Sequence, residues 1–185
     1  MKAYEFILTF SLKNPDEDPS RYEAALEEND CTDALLGIGR KGLISLDFSR
    51  ESVSAYEAIS SAIRAVEKSI PDAELIEMEP DFVGITDIAQ LVNRSRQNIR
   101  KLVYADDSNC PDPIHGGNPA LWHLCDILQW LRQEKAYEID DEVIDVATSA
   151  KSINAMRAWS QIEPAARQQV EALINIYEKP QPVLA

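Results

Sequence analysis

Four cationic side chains lie within eight residues of a chain that is strongly acidic as a whole. They are Arg94, Arg96, Arg100 and Lys101, and the chain of 185 residues has a formal net charge of −14. Binding to a phosphate backbone depends on cations that are gathered in one place, because the local potential attracts the anion. This cluster therefore predicts that the segment binds nucleic acid.

The polar residues among these cations could read the edges of bases. Ser95 is a good N-cap for a helix that would run to about residue 104, and Arg96, Gln97, Asn98 and Arg100 would then lie near its start. Arginine matches the major-groove edge of guanine, and glutamine or asparagine matches adenine. The spacing predicts a recognition helix, although an ordinary helical hairpin with a solvated charged face could share the pattern.

A first helix and a tight turn should position this recognition helix. Thr86 is the expected N-cap of the first helix, and Asn93 can adopt the left-handed conformation that ends it. The second helix has apolar residues at i, i+3 and i+4 that should face inward, namely Ile99, Leu102 and Val103. We therefore expect a helix-turn-helix over residues 82–103.

The next segment predicts a small hairpin and a closing helix. Pro111 and Pro113 exclude a helix there, and the run Gly-Gly-Asn-Pro at 116–119 predicts a turn. Short extended pieces at about 113–115 and 120–122 would flank that turn. A helix should follow over about 124–133, because its apolar residues recur at helical spacing.

This order of elements resembles the MerR-like winged helix-turn-helix domains of small bacterial and phage regulators, including the AlpA and excisionase-type group. The resemblance is carried by GITDIAQLVNRSRQNIRKL for the two helices, PDPIHGGNPALWH for the wing and CDILQWL for the closing helix. It covers about residues 81–133. It implies that the second helix enters the major groove through Ser95, Arg96, Gln97, Asn98 and Arg100. It also implies a wing that reaches adjacent backbone or minor groove, formed by His115, Gly116 and Gly117. The tip of this wing carries no Lys or Arg.

Charge is unevenly distributed over three expected domains. Residues 1–80 carry 8 Lys and Arg against 17 Asp and Glu, residues 81–135 carry 6 against 7, and residues 136–185 carry 4 against 8. The net charges are therefore −9, −1 and −4. The middle domain is the least acidic, as DNA binding requires, whereas the acidic flanks would repel phosphate and weaken non-specific binding.

The first 80 residues predict a separate domain in an α+β protein. We expect strands over 4–10, 34–38, 43–48 and 73–78, and helices over 20–28 and 54–69, with Tyr56 on the apolar side of the second helix. This βαββαβ order is typical of a ferredoxin-like sandwich. Because the domain has no catalytic constellation, we expect it to serve in dimerisation, sensing or partner binding, by analogy of fold.

Residues 136–185 predict a helical tail. One amphipathic helix is expected over 142–159 and a second over 165–178. Their apolar sides need a surface, which could be the protein's own domains or another subunit. MerR-like regulators often dimerise through a C-terminal helix, so the resemblance implies a homodimer, and two-fold DNA sites suit dimers.

The cysteines and histidines predict neither a disulfide framework nor a metal site. The three cysteines are odd in number and unpatterned, which fits a reduced cytoplasm. Cys110, His115, His123 and Cys125 lie within sixteen residues but lack the spacing of a zinc site, and His123 should be an N-cap or packing residue. We expect no metal and no cofactor. The start of the chain alternates like a strand rather than a signal peptide, and no stretch approaches the ~20 apolar residues of a membrane span.

These patterns predict a sequence-specific DNA-binding regulator of transcription rather than an enzyme. Repression of its own or a neighbouring operon is the expected activity. One form of such a repressor is an antitoxin, whose acidic body could hold a basic toxin while the central domain binds the operator. The alternative is a protein-interaction or ligand-sensing adaptor whose helix-turn-helix does not bind DNA.

Overall fold

The computed structural model describes residues 1–37 and 39–177, which form a mixed α+β structure. Its larger sheet is antiparallel and has the order β2-β3-β1-β4. The strands are β1 (Lys2–Ser11), β2 (Ala34–Gly37), β3 (Leu43–Ser52) and β4 (Glu74–Glu79). A 3-10 turn (Pro19–Tyr22) and α1 (Glu23–Glu28) follow β1, and α2 (Ala55–Ser69) follows β3.

Alternation along the two long central strands builds the first core. Phe6 lies opposite Phe48 in the register, their rings stack at 5.3 Å between centroids, and Leu8 lies opposite Leu46. Because strand side chains alternate between faces, these residues share the buried face that α2 covers. The expected burial of Tyr56 is wrong, since its side chain is 73% exposed. It lies about a quarter turn from the centre of the buried stripe of α2, which passes through alanines and Ile59.

Residues from the middle of the sequence form a second hydrophobic core. The segments β5 (Phe82–Val83) and β6 (Trp122–His123) form a two-stranded sheet, and the helices are α3 (Ile85–Leu91), α4 (Arg96–Val103) and α5 (Leu124–Lys135). Ile88, Ile99 and Trp122 are among the buried residues of this core. Here the expected hairpin strand over 120–122 is partly wrong. Only His115 and Leu121 bridge, whereas Trp122 pairs with Val83 and its Nε1 donates to the carbonyl of Pro111 at 2.9 Å.

The long helix α6 (Asp141–Ser160) belongs to both cores. It buries Val146 and Ala150 with the sheet core and Ile144 and Ala147 with the second core, so the protein's own two cores supply the surface that this helix needs. The last helix, α7 (Pro164–Tyr177), differs, because it leaves apolar side chains exposed. Residue 178, the expected end of α7, lies outside the described residues. None of the helices in the described ranges is long and apolar enough to cross a membrane.

Candidate nucleic-acid interface

The turn between α3 and α4 is fixed by local hydrogen bonds. The prediction that Thr86 is the N-cap is wrong. Gly84, the residue between β5 and α3, is the N-cap, and Thr86 lies within the first turn of α3. The N–H of Gly84 donates to Asp87 Oδ2 at 2.8 Å, which satisfies the first turn. At the other end, Asn93 has a φ of 50°, which confirms its expected left-handed conformation, and the N–H of Arg94 donates to the carbonyl of Ala89 at 2.8 Å.

The second helix begins where the sequence predicts. Ser95 is its N-cap and accepts a hydrogen bond from the Asn98 N–H at 3.1 Å. Ile99 and Val103 are buried and Leu102 is half-buried, so one side of α4 is held against the second core. The opposite side is consequently turned outward.

This outward side and the turn before it collect the polar residues that the sequence singles out. All seven of them are exposed: Arg94, Ser95, Arg96, Gln97, Asn98, Arg100 and Lys101. Within the described ranges, none of the four cations forms an ion pair with a carboxylate. The first turn of α4 also has no acidic residue, so the positive end of its helix dipole adds to the local potential. The side is therefore suited to an anion such as a nucleic-acid backbone.

Two tyrosines that the sequence analysis missed support these arginines. The Arg94 guanidinium lies 5.8 Å from the ring centroid of Tyr137, and that of Arg100 lies 5.8 Å from the centroid of Tyr104. Such stacking restricts a long side chain without neutralising its charge. An aromatic residue four positions after Arg100 was a usable signal, because i and i+4 are neighbours on a helix. Tyr137 could not be found in this way, because it is distant from Arg94 in the sequence.

The segment that was expected to form a wing is a short loop held by one bridge. His115, Gly116 and Gly117 are all exposed, and the main chains of His115 and Leu121 are hydrogen-bonded across the loop. The imidazole of His115 lies against Gly117, at a place that a β-carbon would occupy. The tip therefore offers main-chain N–H groups and one imidazole, but no permanent positive charge.

A buried polar cluster connects the two-stranded sheet β5-β6 to α6. Asp81 is 2% exposed and its carboxylate lies 2.6 Å from His123 Nδ1 and 2.9 Å from Asn154 Nδ2, which donates to it. The carbonyl of Asp81 also accepts from the Leu124 N–H at 2.6 Å. His123 thus precedes α5, as expected for an N-cap position, but its side chain binds Asp81 instead of capping the helix. The cluster fixes one end of the two-stranded sheet, where β5 begins and β6 ends, relative to α6.

The nearby cysteines show no sign of reactive or metal-binding chemistry. Burial raises the pKa of the Cys110 thiol to about 11, and it likewise raises that of Cys125 to about 11. Both thiols are therefore protonated at neutral pH and are poor nucleophiles. Over residues 1–37 and 39–177, no three His, Cys, Asp or Glu side chains gather in a way that could hold a metal ion.

Comparisons with known proteins give no further indication of a family. No protein-family model, no curated protein and no solved structure matches this chain. Interpretation of the site therefore depends on the geometry of α3, α4 and the wing.

Proposed function

We propose that the protein is a sequence-specific DNA-binding regulator of transcription that places α4 in the major groove. The observation that carries the proposal is the outward side of α4, where cations and amides are exposed together, while Ile99 and Val103 on the other side are buried. A helix that reads DNA needs both properties, because apolar contacts must hold it still while polar groups reach the bases.

The exposed residues divide into two roles. Arg96, Gln97, Asn98 and Arg100 lie in the first five residues of α4, and we assign them to base edges. Arg94, Ser95 and Lys101, together with the main chain of the wing at residues 115–117, are assigned to phosphates. Phosphate contacts would set the register of the helix, and base contacts would give the preference for one sequence.

The arrangement of domains also fits this function. We interpret residues 81–135 as a MerR-like winged helix-turn-helix and residues 1–80 as a ferredoxin-like domain. The strand order β2-β3-β1-β4, with every neighbouring pair antiparallel, supports the second interpretation. The bridge between His115 and Leu121 supports a short wing in the first. Residues 136–185 would then link the two domains through α6 and extend from them through α7.

We further propose that the regulator is a homodimer. The described part of α7 exposes three aliphatic side chains at helical spacing: Val170 at 36%, Leu173 at 57% and Ile174 at 52%. Burying this stripe against a second copy would remove apolar surface from water. A two-fold dimer would also match a two-fold operator.

A protein-interaction adaptor is the second candidate function. Two observations favour it: the wing has no cation at its tip, and the exposed carboxylates Asp106 and Asp107 lie three and four residues after the end of α4. Both features weaken attraction to phosphate near one end of the candidate interface. An antitoxin would combine the two functions, because its acidic body could hold a basic toxin.

A mobility-shift experiment separates these candidates. DNA from upstream of the protein's own gene would be labelled, with random DNA as competitor and the salt concentration varied. The regulator predicts a complex that resists competitor and weakens as salt rises, because phosphate contacts release counterions. If no complex forms at micromolar protein and low salt, the regulator is contradicted and the adaptor is favoured.

A further inference from the structure

A cleft of about 1030 Å³ lies where β1 extends beyond the end of β4. We call it the β1 cleft. It is lined by the first half of β1, Asp47 of β3, the end of β4, the turn after α3, and the start of α6 with residues 137–140 before it. This volume is in the range of sites that hold a ligand or a peptide segment.

One wall of the cleft is an unpaired strand edge. β3 pairs with β1 along its whole length, whereas β4 pairs with it only from Ile7 onward. Asn154 is hydrogen-bonded to both the N–H and the carbonyl of Met78, so these two groups point away from β1. Leu8 lies opposite Met78 in a pair without mutual hydrogen bonds, and its own N–H and carbonyl therefore point toward β3.

Alternation then fixes which main-chain groups are open. Ile7 directs its N–H and carbonyl toward β4, and Ala3 and Glu5 direct theirs to the same side, beyond the point where β4 has ended. Within residues 1–37 and 39–177, no hydrogen bond satisfies these groups of Ala3 and Glu5 from that side. An open edge of this kind is a template for another extended chain.

The remaining walls are acidic and apolar. Six carboxylates line the cleft against one cation, Lys2, which is already paired with Glu142. Burial, together with the neighbouring Glu77, raises the pKa of Glu79 at the end of β4, as expected for a carboxylate without a cation beside it. Aliphatic side chains also line the cleft, including Leu91, Val92 and Val143.

We propose that the β1 cleft docks an extended segment of a partner protein that carries lysine or arginine at alternate positions. The segment would add to the sheet as a strand, pairing its main chain with Ala3 and Glu5. Because strand side chains alternate, its cations would meet the carboxylates while its apolar residues face the aliphatic wall. Five residues of β1 offer about 17 Å of edge, which is enough for an ordinary short strand. This proposal does not depend on DNA binding.

A labelled peptide of seven alternating lysines and valines is a suitable probe. Fluorescence anisotropy should give micromolar binding to the full chain, and the double variant Glu5→Lys/Glu79→Lys should weaken it at least tenfold. The matched control is Glu27→Lys/Glu67→Lys, which makes the same change in net charge at exposed positions of α1 and α2, away from the cleft. Failure to bind at millimolar peptide would overturn the proposal, as would an equal loss in the control variant.

Strand addition itself is tested by removing amide donors from the peptide. Two versions carry N-methyl groups, one at odd and the other at even positions, so that only one of them blocks the edge facing β1. One version should lose most of its affinity and the other should keep it. Hydrogen exchange at the amides of Ala3 and Glu5 should also slow when the unmodified peptide is bound. Equal binding of both N-methylated peptides would exclude docking by main-chain pairing.

Discussion

The side-chain amide of Asn154 pairs with the main chain of Met78 as a neighbouring strand would. Its Oδ1 accepts from the Met78 N–H at 2.9 Å, and its Nδ2 donates to the Met78 carbonyl at 2.8 Å. The same Nδ2 donates to Asp81 at 2.9 Å. One residue of α6 therefore closes part of the outer edge of β4 and also reaches Asp81, the residue that precedes β5. Both contacts connect parts of the chain more than seventy residues apart in sequence.

Replacing Asn154 should cost more stability than its partial burial suggests. Asn154→Ala would leave the N–H and carbonyl of Met78 and one oxygen of Asp81 without a protein partner. We expect a loss of about 2–3 kcal/mol in the free energy of unfolding, because each unsatisfied group costs ~1 kcal/mol or more. Urea denaturation followed by circular dichroism would measure it.

Two further variants distinguish the loss of the Asn154 amide from the general effect of a substitution in α6. Ser152→Ala, on the exposed side of α6, should change stability by less than about 0.5 kcal/mol. Asn154→Asp should be worse than Asn154→Ala, because it removes the donor and places a carboxylate beside Asp81. Equal stability of the wild type and Asn154→Ala would show that water replaces the amide fully.

Much of the fold and of the helix-turn-helix could be predicted from the sequence because the signals are local. The N-cap Ser95, the left-handed Asn93 and the inward Ile99 each follow from a residue type at a short spacing, and the structure has them in those conformations. The strands and helices of the first 80 residues also occur in the expected order. However, β3 continues to Ser52, four residues beyond its expected end, and residues 20–22 belong to a 3-10 turn instead of α1. Residue 38, the expected end of β2, lies outside the described residues. Whether α4 and the wing bind DNA remains a prediction.

The parts that could not be predicted depend on distant residues. Nothing near Asp81 in sequence indicates that His123 and Asn154 will meet it, because the partners are 42 and 73 residues away. The pairing of Trp122 with Val83 is of the same kind, since a two-residue strand carries too little alternation to be recognised. The β1 cleft likewise results from where β4 ends, which is a property of the assembled sheet.

Gly42 should not tolerate a side chain. Its φ is 72°, and an added β-carbon would lie 2.5 Å from the carbonyl oxygen of Pro15. Both the left-handed backbone and the overlap are unfavourable, so Gly42→Ala should lower the free energy of unfolding by about 2–4 kcal/mol. Gly39→Ala in the same turn is the matched control, because a β-carbon added at Gly39 would have no neighbouring atom within 4 Å. Thermal unfolding of both variants would test this, and a loss at Gly39 as large as at Gly42 would contradict it.

The contact between Asp126 and Lys151 should make stability depend on acid pH. The Lys151 ammonium lies 2.8 Å from each carboxylate oxygen and ties α5 to α6. Burial raises the pKa of Asp126, but hydrogen bonds from Lys151 and Cys125 outweigh it, so its pKa lies below the ordinary 3.8. A carboxyl with a lowered folded pKa stabilises the protein above its unfolded pKa, and that stability is lost as pH falls through the folded pKa.

Asp126→Asn should therefore be destabilising at neutral pH and not in strong acid. Because both side chains are more than a third exposed, the expected difference at pH 7 is only about 0.5–1 kcal/mol. Urea midpoints measured from pH 7 downward should converge for the variant and the wild type below pH 3.8. Asp145→Asn on the exposed side of α6 should follow the wild type at every pH. A constant difference at all pH values would show that packing, and not ionisation, is responsible.

Arg96→Ala and Arg100→Ala should weaken specific DNA binding without unfolding the protein. Both side chains are exposed and make no ion pair within the described ranges, so their removal should leave the free energy of unfolding within about 0.5 kcal/mol of the wild type. If they read bases, each change should cost ~1–3 kcal/mol of binding to the operator and less on random DNA.

Lys101→Ala, in contrast, should weaken binding to all sequences alike and reduce the salt slope by about one, since we assign it to phosphate. Arg64→Ala on α2 removes an exposed cation outside the candidate interface and serves as the control for net charge. Titrations by anisotropy at several salt concentrations distinguish these outcomes. Unchanged operator binding in both arginine variants would rule out α4 as the recognition helix, even if the protein binds DNA through another surface.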